Sequence, residues 1–179
     1  GESEVSIRCA AIQGIALLAS NVQPEDIAEQ DALSESLLAA ANSDERLVRS
    51  QAAYALGVVG GPVHLDQLAT MLKDVYPDAR YNAAIGLARH GDERGTEVLV
   101  EMLNPDEEAG MLVEADEQLR ESKRVLILIN ALRAVDQMVD ANPNGDLNEL
   151  TVAVTELENA DVPREVRMKA TDVAQRLAR

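Results

Sequence analysis

The sequence predicts an all-α fold made by repeating a two-helix unit, and three observations predict it. The first is self-similarity. "DERLVRSQAAYALGVVG" (44–60) and "YPDARYNAAIGLARHG" (76–91) align without gaps when Arg49 is set on Arg80. Ala52 then falls on Ala83, Ala53 on Ala84, Leu56 on Leu87 and Gly60 on Gly91. Beyond the glycine, Leu68, Met71 and Leu72 fall on Leu99, Met102 and Leu103, so a 31-residue period holds across two helices. The second is periodicity: apolar residues recur at i, i+3, i+4 and i+7, and no window alternates as a half-buried strand would. The third is composition. Of 179 residues 46% are hydrophobic, yet the only aromatics are Tyr54, Tyr76 and Tyr81. A core of Ala, Leu, Val and Ile suits closely packed helices, because Ala and Leu are also strong helix formers.

Taken in order, the units read as five repeats in one domain spanning 1–179: 1–43, 44–74, 75–120, 121–160 and a partial, capping copy at 161–179. In the first, "VSIRCAAIQGIALLA" (5–19) puts Arg8, Ala11, Ile12 and Ile15 in the repeat's places. In the second, Gly60-Gly61-Pro62 stops one helix and starts the next, with Pro62 at a first-turn position. In the third, Asp92 is placed to cap a helix through 94–103, and Asn104-Pro105 closes it. The fourth is looser: "SKRVLILINALRAV" (122–135) offers Arg124, with "NALRAV" fitting best one residue out of register. The last, "PREVRMKATDVAQRL" (163–177), supplies Arg167 with Ala170 and Ala174 and ends without a second helix. Successive arginines lie 41, 31, 44 and 43 residues apart. The longer intervals imply insertions, read at 21–34, at 104–121 and at 140–150.

Charge narrows the partners. At a net −16 the surface repels a phosphate backbone, since nucleic-acid affinity rests on Lys and Arg releasing counterions. Anionic membranes are disfavoured for the same reason; basic proteins or cationic ligands are the partners this charge permits, although an acidic surface more commonly serves solubility alone. The longest apolar run, "VLILI" at 125–129, is far too short to span a bilayer. Cys9 is the only cysteine, so no internal disulfide forms, and its apolar neighbours mark a buried inert thiol. No signal peptide is visible, which slightly favours a cytoplasmic location without fixing it. The chain opens on Gly1 rather than Met, leaving open a removed leader or further domains.

An acidic residue or Pro, then Val/Ala-Arg, Ala-Ala-x-x-Leu and a Gly: this pattern resembles HEAT repeats, most nearly the short HEAT-like repeats also found in phycobilisome lyase proteins. The resemblance implies a right-handed α-solenoid, armadillo-like, in which antiparallel helix pairs stack and each buries its apolar face against its neighbours. It also implies polar ladders linking successive repeats, at Asp44, Arg49, Asp78, Arg80 and Arg167. The second helix of each pair would line a concave surface where partners bind. There Leu68, Leu72, Leu99 and Leu103 form a stripe, with Met71 and Met102 beside it as an adaptable contact patch. A stripe at helical spacing is more often core, and the spacing alone does not separate the two. Asp66, Glu97, Glu101, Glu156 and Glu158 give the same face an acidic character.

One stretch raises metal chemistry. In "DANPNGDLNEL" (140–150), Asp140, Asn142, Asn144, the carbonyl of Asp146 and Asn148 stand at positions 1, 3, 5, 7 and 9 of a calcium loop, with Gly145 sixth. The resemblance is to EF-hand and dockerin-type loops. Position 12, which should hold a bidentate carboxylate, holds Thr151, and Pro143 is unusual at position 4. The competing reading is a capped corner. Asp146 as N-cap with Glu149 makes an acidic capping box, and Asn144-Gly145 supplies the left-handed residues that end the preceding helix. Capping explains every polar residue but Asn142, and it is preferred; any calcium site here would be of the 10⁻⁴–10⁻³ M class.

Nothing else points to chemistry. His64 and His90 lie at a helix start and a helix end, and neither is followed by Glu as in HEAT-like iron hydroxylases. Neighbouring carboxylates carry no information against so acidic a background. The reading that follows is a non-catalytic protein-interaction scaffold offering an acidic concave surface to a basic or mixed partner, without a cofactor. The alternative, implied by the repeat subtype, is an accessory or lyase-type subunit acting on a tetrapyrrole-binding protein. It needs aromatic or basic contacts for the pigment, which this sequence hardly offers.

Overall fold

Helix boundaries follow the punctuation of the sequence. The computed structural model describes residues 1–21, 30–111 and 114–178. Among them nine α-helices run in order: α1 Glu2–Asn21, α2 Gln30–Ala41, α3 Arg46–Val59, α4 Pro62–Met71, α5 Pro77–Arg89, α6 Thr96–Leu103, α7 Glu117–Ala141, α8 Asn148–Asn159 and α9 Arg164–Leu177. The described residues contain no strand. Most of the insertion read at 21–34 and residues 112–113 of that at 104–121 lie outside the described residues.

Gly60 and Gly61 turn α3 into α4 within two residues, with φ of 70° and 94°, values a side chain would resist. The Gly60 amide donates to the Leu56 carbonyl at 2.8 Å, and the Leu65 amide returns to Gly61 at 3.0 Å. Pro62 then opens α4, where its missing N–H leaves no orphan donor. Before α6 the boundary differs from expectation. The Asp92 side chain accepts from the Arg94 amide at 3.1 Å, capping a 3₁₀ turn over Glu93–Gly95, and the α-helix proper starts at Thr96. The tighter turn absorbs residues that would otherwise have been a first α-helical turn.

The chain divides into two compact units, Gly1–Leu87 and Ala88–Arg179, the division falling inside α5. In the first unit α1 and α2 both pack on α3, and α4 packs on α2 and α3. Its core is Leu37, Val48, Ala52, Ala53, Leu56, Leu68, Met71, Ala83 and Leu87, aliphatic as the composition requires. Gly57 of α3 meets Gly86 of α5 backbone to backbone: a Cβ built on Gly57 would lie 2.5 Å from the Gly86 Cα. In the second unit α6 packs on α7 and α8, and α9 packs on α7 and α8. Leu99, Leu103, Leu128, Leu132, Met138, Leu150 and Leu157 fill its core. In each unit, stacked helix pairs bury apolar stripes against their neighbours.

The recurring arginine has a repeated task. Arg49 Nη1 donates to the Ser43 carbonyl at 2.9 Å, and Arg80 Nη1 donates to the Asp74 carbonyl at 3.0 Å. Each reaches six residues back to tie off the corner before its own helix. Asp44 adds its carbonyl to the Arg49 cluster at 3.1 Å, and the Asp78 carboxylate accepts from the Tyr76 hydroxyl at 2.8 Å. The carboxylate gripped by Arg49 is Asp74, with Nε–Oδ2 at 2.7 Å and Nη2–Oδ1 at 2.9 Å. That pairing holds the Asp74 carboxyl below its ordinary range. Arg167, placed in the ladder by the resemblance, is exposed. On α9 the links back to α7 come instead from Lys169, 2.9 Å from Asp136, and from Arg176, which donates to Asp136 and Asp140.

Candidate interaction site

None of the sixteen Lys and Arg residues lies on α2, α4, α6 or α8, the second helices of their pairs. Those four helices carry Asp31, Glu35, Asp66, Glu97, Glu101, Glu149, Glu156 and Glu158. The basic residues sit on the first helices and in connecting segments. Stacking pairs in register therefore sorts charge by helix type, and in the second unit it sets α6 beside α8 with no cation on either.

Between α6 and α8 runs a groove of about 360 Å³. Its floor is Val100, Leu103, Ala153 and Leu157, and its rim includes Asn104, Asp106 and Glu156. Leu103 and Leu157 are fully buried, whereas Asp106 and Glu156 are exposed. On α6, Glu97, Val100, Glu101 and Asn104 follow i, i+3, i+4, i+7 spacing and so share one side of the helix, of which Val100 and Asn104 line the groove. On α8, Val152, Glu156 and Ala160 share a face by the same rule, and Val152 is 58% exposed. Apolar ground inside a carboxylate edge is the arrangement that receives an aliphatic anchor flanked by cations.

The other expected site residues fall elsewhere. Met71 and Met102 are 4% and 2% exposed, so the adaptable contact patch is corrected: both methionines are core. Being one position off the leucine stripe turns them toward neighbouring helices, and the groove side is left to Val100 and the glutamates. Asp66 is exposed on α4 in the first unit, Glu97 is exposed on α6, and Glu101 is half-buried. Glu158 accepts from the Thr171 hydroxyl at 2.9 Å and so serves the α8–α9 contact.

At the 140–150 corner, Asp140 is the penultimate residue of α7 and its carboxylate is paired with Arg176. Asn142, the residue capping left unexplained, donates through Nδ2 to the Gly91 carbonyl at 3.1 Å and to Glu93 Oε1 at 2.8 Å. It clips the fourth repeat's corner to the third's. Asp146 is not the N-cap; its carboxylate accepts from the Asn148 amide at 3.2 Å, two residues on, in an Asx turn just before the helix. The capping box with Glu149 is corrected, because α8 starts at Asn148 with Leu147 in the N-cap position. Asn144 and Asn148 are exposed. Among the described residues, no group of three or more His, Cys, Asp or Glu is placed to hold a metal ion.

His64 is buried at 8% exposure, with Nδ1 2.5 Å from the Gly60 carbonyl and Nε2 2.6 Å from Ser34 Oγ. A carbonyl only accepts, so Nδ1 carries the proton, and a neutral ring then accepts from Ser34. The imidazole thus ties α2 to the α3–α4 corner.

Residues 34–120 match the family model of HEAT repeats. That segment, 34–120, carries HEAT repeats. The matched segment takes in most of α2, all of α3 to α6 and the first turn of α7. HEAT repeats serve in general as non-enzymatic scaffolds for protein–protein interaction, and no helix among the described residues is long and apolar enough to cross a membrane. No curated protein matches this sequence. What sequence reasoning missed in the HEAT segment is Asp74. It lies in the linker "LKDVY" (72–76) between α4 and α5, where Ser43 stands at the matching place of the preceding repeat.

Proposed function

We propose that this HEAT-repeat chain is a protein-binding scaffold whose α6–α8 groove receives a basic, partly apolar segment of a partner protein. The observation that carries the reading is the absence of any Lys or Arg on α6 and α8, beside a groove with an aliphatic floor and exposed Glu97, Asp106 and Glu156. An aliphatic side chain of the partner fills the space over Val100 and Leu157, and its cations meet the rim. The carboxylates steer the encounter and reject acidic competitors, while the buried anchor sets the lifetime of the complex.

The test is fluorescence anisotropy with a labelled Lys/Leu-rich peptide and its Glu/Leu-rich counterpart. Saturable binding of the basic peptide, weakening from low to high salt as screening shortens the reach of the rim charges, and its loss in Glu97→Lys/Glu156→Lys, support the reading. Equal binding of both peptides, or a charge-reversed variant that binds unchanged, contradicts it.

A further inference from the structure

The Ser34–His64 contact has the geometry of an activated nucleophile. Four other serines on helices return their hydroxyls to the carbonyl four residues back: Ser6 to Glu2, Ser20 to Ala16, Ser36 to Ala32 and Ser122 to Gln118. Ser34 instead stands 2.6 Å from His64 Nε2. The Gly60 carbonyl, 2.5 Å from Nδ1, keeps the ring proton there. Nε2 therefore offers a lone pair, and the single Ser34 hydroxyl proton points at it. Nucleophile, base and a third group that orients the base follow one another at hydrogen-bond distances, which is how such an arrangement is recognised. His64 is buried and fixed at both nitrogens, while Ser34 is only half-buried.

The pair opens on a cavity. Ser34 and His64 line a pocket of about 450 Å³ between α1, α2 and the α3–α4 corner, large enough for a small ligand. Its walls are mostly aliphatic, from Ala19, Leu33, Val58, Val59, Pro62 and Val63. The start of α4 opens on the same space. Pro62 has no N–H, and the amides of Val63 and His64 come before the first bond of the helix, which runs from Leu65 to Gly61. Those amides and the positive end of α4 supply donors for charge that gathers on an acyl oxygen. Asp31, exposed near the start of α2, lines the pocket too and disfavours an anionic ligand.

We propose that this pocket is an acyl-transfer site for small neutral esters with an aliphatic acyl chain, with Ser34 as nucleophile and His64 as general base. Ser34 Oγ attacks the ester carbonyl carbon as its proton passes to His64 Nε2. The tetrahedral adduct collapses, the bond to the alcohol oxygen breaks, and the leaving alcohol takes the proton from Nε2. Water, deprotonated by the same nitrogen, then attacks the acyl-serine, releasing the acid and returning the proton to Ser34. The Gly60 carbonyl keeps the imidazole in the tautomer these steps need. Being neutral, it stabilises the imidazolium less than a carboxylate would, so turnover is slow and acylation is the step to read. The site lies in the first unit and does not rest on the α6–α8 groove.

Labelling of the whole chain with an alkyl fluorophosphonate, located by peptide mass spectrometry, tests this beside hydrolysis of p-nitrophenyl butyrate. In labelling, the Oγ–P bond forms, fluoride leaves and His64 takes the proton. One adduct per chain should appear, on Ser34. Ser34→Ala should lose both the adduct and the ester hydrolysis, whereas Ser36→Ala, on the same helix, should keep both. His64→Gln keeps an amide donor for the Gly60 carbonyl and should label at least about 100-fold more slowly, the share a general base contributes. Wild type unfolded in urea should lose the labelling, which reads the folded pair without any substitution. No adduct after prolonged exposure to excess reagent overturns the proposal. So do adducts spread evenly over exposed serines such as Ser36, labelling that survives in urea, or a folded His64→Gln that labels like wild type.

Discussion

The side-chain amide of Asn142 donates to the carbonyl of Gly91, joining the α7–α8 corner to the α5–α6 corner. Gly91 has φ of 70°, and a Cβ there would lie 2.9 Å from the Asn142 Cβ and 3.0 Å from the Ala141 backbone. Gly145 is held equally close: its Cβ would fall 2.6 Å from both Asn142 Nδ2 and Glu93 Oε1. The "DANPNG" stretch is thus a clip between repeats, with Asp140 committed to Arg176. Asn142→Ala should cost about 1–3 kcal/mol by stranding partly buried partners. Gly91→Ala should cost about 2–4 kcal/mol through a strained φ plus overlap. Urea unfolding measures both. In the same account, millimolar calcium should shift the thermal midpoint no more than magnesium does. A calcium-specific rise that Asp140→Ala abolishes would make the corner a metal site instead.

Glycines separate by surroundings. Gly57→Ala forces the α3 and α5 backbones apart and should destabilise by about 3 kcal/mol. Gly14→Ala, with open space around it, should stabilise by up to about 1 kcal/mol through helix propensity alone. Thermal melts of the two variants at low protein concentration should move in opposite directions.

Acid should loosen the first unit through Asp74. Its bond from Arg49 lowers the carboxyl below the usual range, so it binds protons more readily unfolded than folded. The stability it contributes is complete above the unfolded carboxylate value of about 4 and is lost as pH falls through the lower, folded value. Asp74→Asn should cost about 1–3 kcal/mol at pH 7. It should also flatten the acid limb of a stability-against-pH curve. An unchanged acid limb would assign the loss to other carboxylates, such as Asp92 held low by Arg94.

How much of this was legible depends on what the repeat shares. Arg49 and Arg80 occupy one repeat position and do one job, so their alignment disclosed the helix pairs and the corner bonds. Gly57 and Gly86 were opaque because they hold different positions: the same alignment sets Gly57 on Ala88 and Gly86 on Ala55. Met71 and Met102 were misassigned to a surface because helical spacing is the same for a core stripe and a contact stripe. Asp74 and Asn142 stand in corners; the place of Asp74 is held by Ser43 in the preceding repeat, which offers no carboxylate, and the partner of each is fixed by tertiary packing. The acidity of the second helices was visible residue by residue. The floor of Val100, Leu103, Ala153 and Leu157 required knowing that α6 lies beside α8.

The most direct measurement of the central claim is an amide chemical-shift titration of the ¹⁵N-labelled chain with the Lys/Leu-rich peptide. The account predicts saturable shifts concentrated on α6 and α8, at Glu97, Val100, Val152 and Glu156, and their disappearance in Glu97→Lys/Glu156→Lys. Shifts spread over every acidic surface without saturation, or centred away from α6 and α8, would contradict it.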